Sequence, residues 1–203
     1  MLKFGDEMLF CKKSTYDWLI VGLGNPGLQY ENTRHNVGFM AVDLFMKTNS
    51  GDFNKNKMKS VLGECKIKDN RILVVKPQTY MNNSGSAVSE IVKFYKIPLN
   101  RIIVVCDDIN LDIGKIRIKR NGSDGGQKGM RDIIELLGNN EIMRIKIGVG
   151  KKPHPQYDLA DWVLSKFPKE SKIDLDNALE KTAKALAEII NVNIDSAMNK
   201  FNN

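Results

Sequence analysis

A chain of 203 residues, 42% hydrophobic and 27% charged, suffices for one domain whose core needs neither disulfides nor metal. No apolar run approaches the ~18 residues of a membrane span, and three scattered cysteines with two histidines offer neither a disulfide framework nor a metal knuckle, so no metal or cofactor is expected. The 31 Lys and Arg against 24 Asp and Glu, a net charge of +7, predict either attraction to polyanions or a lysine-rich solubilising surface.

Residues 1–16 read as an untethered extension. They lack the apolar core of a signal peptide, which makes the cytoplasm the default location. DWLIVGL, residues 17–23, is a β-branched apolar run and predicts a buried strand. VGFMAVDLFMK, 37–47, has apolar residues on one helical face, and the Lys- and Asn-rich stretch after it reads as loop. SVLGECKI and RILVVKP, 60–67 and 71–77, predict neighbouring strands joined at KDN, and MNNSG leads into a second helix. RIIVVCDD, 101–108, is another buried strand. KIRIKR, 115–120, alternates basic residues with isoleucine and predicts a strand with one wet face, paired hairpin-fashion with 101–108. The glycine-rich NGSDGGQKG precedes a helix, MRDIIELLG, stopped by Gly138. RIKIGVG is expected to close the sheet, and one long amphipathic helix after Lys169 to finish the chain. This alternation predicts a single α/β domain over 17–203, with a mixed, mostly parallel twisted sheet and helices on both faces.

LIVGLGNPG, 19–27, spells G-x-G-x-x-G after a strand. A dinucleotide site needs the helix to begin inside the glycines and an acidic residue at the next strand end. Here the polar GLQYENTRHN after Pro26 shows no apolar periodicity, so the helix starts only about nine residues later, near His35, and Asp43 lies inside it. DGGQKG also fails as a phosphate loop, because Lys128 is followed by Gly129.

In open α/β sheets the ligand crevice lies outside the carboxyl ends of the strands. Asn25, Asn82 and Asp107 fall at three such ends, and His35 opens the first helix. An imidazole there can take a proton from water while Asp107 holds its other ring nitrogen. The two asparagines can orient a substrate or polarise a carbonyl. Each residue alone also suits a cap, a turn or a surface position. Cys106, in an apolar run, reads as core filler, and His154, between two prolines, as exposed loop.

VGLGNPGLQYENTRHNVGF, KPQTYMNNSG, VVCDDINLDIG, GGQKGMRDII and RIKIGVG, in this order, resemble the bacterial-type peptidyl-tRNA hydrolase family from about Trp18 to the C-terminus. The resemblance implies a monomeric enzyme that cleaves the ester between a peptide and the 3′ end of tRNA. It implies His35 as catalytic base, Asp107 as its support, and Asn25, Tyr30, Met81 and Asn82 as the wall of the peptidyl site. It also implies a phosphate clamp of Arg117, Lys119 and Lys146. The family commonly has G-G-H-N-G where this chain has GGQKG, so Gln127 and Lys128 replace a His and an Asn; Lys128 is a donor only and adds charge near the RNA path. The chief alternative is an RNA-binding module on the same fold that does not cut.

Overall fold

The computed structural model describes residues 14–202, so residues 1–13 of the expected extension lie outside the described residues. Tyr16, also assigned to that extension, is instead buried: its ring packs edge-on against Tyr95 and its hydroxyl donates to Glu64 Oε1 at 2.6 Å.

Among the described residues seven strands form one sheet: β1 (Trp18–Gly22), β2 (Asp52–Lys57), β3 (Ser60–Ile67), β4 (Asn70–Pro77), β5 (Ile102–Asp108), β6 (Ile116–Lys119) and β7 (Met143–Gly148), in the order β2-β3-β4-β1-β5-β7-β6. The middle strands β4, β1, β5 and β7 run parallel, while β2, β3 and β6 add antiparallel edges. The helices are α1 (Val37–Thr48), α2 (Ser84–Tyr95), α3 (Lys128–Leu137), α4 (Leu159–Leu164), α5 (Lys172–Asn191) and α6 (Ile194–Phe201). Alternate residues of each central strand face opposite layers. Ile20, Val74 and Ile103 pack with α1, α5 and α6, whereas Val21, Val75 and Val104 pack with α2 and α3. The mixed sheet with helices on both faces matches the expectation from sequence. Among the described residues no helix is long and apolar enough to cross a membrane.

Four details differ from that expectation. The polar stretch read as loop contains β2, an edge strand exposed along most of its length. Its Lys55 pairs with Glu64 and its Lys57 ammonium stands 4.5 Å from the Phe94 ring centre, charges that discourage a further strand from adding there. β6 does not pair with β5: β7 inserts between them, so β6 rather than β7 ends the sheet. The last helix is two, because the chain leaves helical geometry at Val192 and Asn193 caps α6 by accepting from the Ser196 N–H at 2.8 Å.

Candidate active site

The carboxyl ends of β4, β1 and β5 open onto a cleft of about 510 Å³. Its floor and near wall are Asn25, His35, Met81, Asn82, Asp107, Gln127 and Lys128, and α4 with Asp158 forms the far wall. Six side chains expected at the site thus meet there. They come from five separate segments of chain, so only the parallel arrangement of strands brings them together.

His35 lies in the single 3₁₀ turn Arg34–Asn36 that runs into α1. Gly38 lets this end of α1 press onto the sheet: a Cβ there would collide with the backbone carbonyls of Leu23 and Val105. The imidazole is consequently held over the end of β5, with Nδ1 2.9 Å from Asp107 Oδ2. A carboxylate only accepts, so the proton belongs on Nδ1 and Nε2 keeps its lone pair. Asp107 is 4% exposed, and its second oxygen accepts from Gln127 Nε2 at 3.1 Å. Gln127 is oriented in turn by its Oε1, which accepts the Met130 N–H at 2.7 Å and caps α3, while Nε2 also lies 3.0 Å from Met81 Sδ. Both oxygens of the carboxylate are therefore engaged, which fixes its rotamer and hence the imidazole plane. Gln127, flagged in the sequence only as a departure from the usual His, is the residue whose position there was least apparent.

Asn25 is locked by two neighbours. Its backbone N–H donates to Asn36 Oδ1 at 2.8 Å and its carbonyl accepts from Asn36 Nδ2 at 2.9 Å, which clasps the loop after β1 to the start of α1. Its Oδ1 accepts the Met81 N–H at 2.7 Å. With the oxygen committed, what Asn25 offers the cleft is its amide N–H. Tyr80, between β4 and α2, has φ of 57°, strained for an aromatic residue, and is 53% exposed in the cleft wall. Tyr30 does not itself line the cleft; it meets Tyr80 edge-on, ring centres 6.3 Å apart. Cys106 faces the opposite way into the core, where burial and the charge of Asp107 push its thiol up to about 12, so it is no nucleophile. His154 is exposed, as expected of its loop.

The far wall is pinned by Arg34, the residue beside His35. Nη1 donates to Ser165 Oγ and the Lys166 carbonyl, each at 2.6 Å, and Nε to the Val149 carbonyl at 3.2 Å, while the guanidinium stacks 3.7 Å from the Trp162 ring centre. Burial lowers its pKa, though an arginine remains charged. Arg34→Ala should destabilise the protein by ~2–4 kcal/mol, since charged hydrogen bonds and packing vanish together. Urea titration measures this, and a loss within ±0.5 kcal/mol would show the anchor to be idle.

The basic residues divide. Arg117 and Lys119 are exposed on β6, on the face the alternation predicted. Lys146, opposite Arg117 in the register of β6 and β7, is only 8% exposed, and its ammonium lies 3.0 Å from Asp108 Oδ2. Burial acts to raise the Asp108 carboxyl, but bonds from Asn110 and Lys146 outweigh it and leave it below the ordinary carboxylate range.

Comparison with known proteins agrees with this arrangement. Residues 19–203 match the model of the family described as peptidyl-tRNA hydrolase. The peptidyl-tRNA hydrolase of Thermoanaerobacter sp. strain X514 is 50% identical over 185 residues, 91% of this chain and 99% of the relative. That of Clostridium botulinum strain Alaska E43 is 49% identical, covering 91% and 95%. The crystal structure of peptidyl-tRNA hydrolase from Acinetobacter baumannii superposes with a TM-score of 0.86 at 32% identity, covering 91% of this chain and 94% of that one. A uridine phosphorylase from Vibrio fischeri shares the fold alone, at 9% identity and a TM-score of 0.53. A match of this extent, carried by nearly the whole described domain and not by its glycine motif, places the chain in the peptidyl-tRNA hydrolase family.

Proposed function

We propose that this protein hydrolyses the ester joining a peptide, or an N-blocked amino acid, to the 3′ end of tRNA, with His35 and Asp107 as the catalytic pair. The observation that carries the assignment is the His35–Asp107 contact of 2.9 Å, which leaves Nε2 as the basic atom at the cleft. Nε2 takes a proton from a water whose oxygen attacks the ester carbonyl carbon. Asp107 stabilises the imidazolium that results. The Asn25 amide N–H, with Asn82, serves the carbonyl oxygen as it gains negative charge. As the intermediate collapses, the C–O bond to the ribose breaks and the imidazolium returns its proton to the departing 3′-oxygen. The products are the free acid of the peptide and a tRNA with a 3′-hydroxyl. A ribose alkoxide is a far better leaving group than the amide anion that an unprotonated peptide nitrogen would become, so activated water and an oxyanion donor suffice for this bond.

Met81, Asn82 and Lys128 are assigned to the peptidyl end of the substrate, and Tyr30 to backing the exposed ring of Tyr80 in the cleft wall. Arg117 and Lys119 are assigned to RNA phosphates, their side chains being exposed on one face of an edge strand. The protein acts as a monomer in the cytoplasm, through the domain spanning 17–203. The test is release of peptide from N-blocked aminoacyl-tRNA by purified protein; RNA binding with no turnover at all would make the chain a binding module instead. For the clamp, Arg117→Ala and Lys119→Ala should each weaken tRNA affinity and reduce the log–log salt slope by about 1. An unaltered slope would remove the residue from the interface.

A further inference from the structure

Arg144, in β7, is wholly buried at 0% exposure. A guanidinium carries five N–H donors, and this one directs all of them at main-chain carbonyls. Nε donates to Ile142 at 3.0 Å, Nη1 to Gly122 at 2.6 Å and Ser123 at 2.9 Å, and Nη2 to Asn140 and Ile142, each at 2.8 Å. No carboxylate is among these acceptors. Burying a cation is costly, and here carbonyls converging on one planar fork offset that cost. Asn140 and Ile142 belong to the turn into β7, but the shortest bond goes to the start of the glycine loop. The Gly122 N–H also donates to the Asn140 carbonyl at 3.3 Å, so loop and turn are clasped together at this point.

The loop has little packing of its own. Gly122 at φ of 133° and Gly126 at 85° lie in the region open to glycine, and a Cβ on either would meet nothing within 4 Å. Glycines lose more conformational freedom on ordering than other residues, so such a loop needs an anchor before its far end can have a fixed place. From Ser123 onward hydrogen bonds carry that place forward. Asp124 Oδ2 accepts the Gly126 N–H at 2.8 Å, and the Asp124 carbonyl accepts the Gln127 N–H at 3.3 Å. Gln127 Nε2 then donates to Asp107 Oδ1 at 3.1 Å. We infer that Arg144 is a positioning residue: by fixing the Gly122–Ser123 backbone it sets where Gln127 stands, and through Gln127 the carboxylate of Asp107. The inference rests on the reading of His35 and Asp107 as the catalytic pair.

The experiment measures kcat on N-blocked aminoacyl-tRNA for Arg144→Lys in two backgrounds, wild type and Gln127→Met, with thermal melting to establish that each protein is folded. A lysine keeps the charge but lacks the fork that reaches loop and turn together. In the wild-type background kcat should fall ~10- to 100-fold, as displacement of a catalytic group produces. In Gln127→Met the same change should lower kcat by less than about twofold, because the link it acts through is already cut. Asp124→Ala loosens the same loop from the surface, leaves β7 untouched, and decides the matter should Arg144→Lys not fold; its loss of kcat should likewise vanish in Gln127→Met. A loss of equal size in both backgrounds, or a lowered melting temperature with kcat unchanged, would overturn the inference and leave Arg144 a structural anchor of β7. Wild-type turnover, measured alongside with His35→Ala as control, reports on the hydrolase reading separately.

Discussion

His35→Ala is expected to lower kcat by ~10²–10⁴-fold, the range that a positioned general base contributes, while tRNA binds as before. The imidazole is 12% exposed and its ring hydrogen bond is to Asp107, so truncation removes the basic nitrogen while the backbone that shapes the cleft stays in place. The carboxylate left behind keeps its bond from Gln127. Turnover and the affinity of tRNA therefore separate in this variant, and single-turnover kinetics beside an equilibrium binding assay measures both. Retention of more than a tenth of wild-type kcat would mean that some other group activates the water.

Asp107→Asn should be nearly as severe, at ~10²–10⁴-fold in kcat, for a reason particular to this chain. Gln127 cannot turn its amide round, because its oxygen is committed to the Met130 N–H; it always presents an N–H toward position 107. The oxygen of the new asparagine is drawn to that donor, which directs its own N–H at His35 Nδ1. The imidazole proton then moves to Nε2, and the base is lost at the atom where it is needed. Adding Gln127→Met to Asp107→Asn should release the amide to face the other way and recover part of the rate. A double variant no faster than Asp107→Asn alone would contradict this account of the tautomer.

Buried parallel strands announce themselves in sequence, since both faces are covered and the run is apolar throughout; β1, β4 and β5 were legible for that reason. So was the gathering of His35, Asn25, Asn82 and Asp107, which follows once those strands are parallel and their ends polar. Edges were harder. β2 buries almost nothing and carries no apolar alternation, so its residues look like loop. The pairing of β6 depends on β7, from which 23 intervening residues separate it in the chain, and no local pattern encodes such a partner. Lys146 reads like Arg117 in a sequence, for both alternate with isoleucine. Only the sheet order, which places β7 inside and β6 at the border, makes one internal and the other external. The break before α6 rests on a single asparagine cap, whose signal is swamped by the apolar periodicity running through it.

Arg34 and His35 share one peptide unit and send their side chains to opposite sides of the crevice, the first to α4 and the second to Asp107. The aperture available to a passing polypeptide is accordingly tied to the span of a dipeptide and two side chains. A homologue that needs a roomier gap has to change the helix that Arg34 grips, because shifting the arginine would drag the imidazole with it. Selectivity for bulky residues beside the scissile bond should then vary with Leu159, Val163 and Leu164, while the water-activating machinery stays where it is.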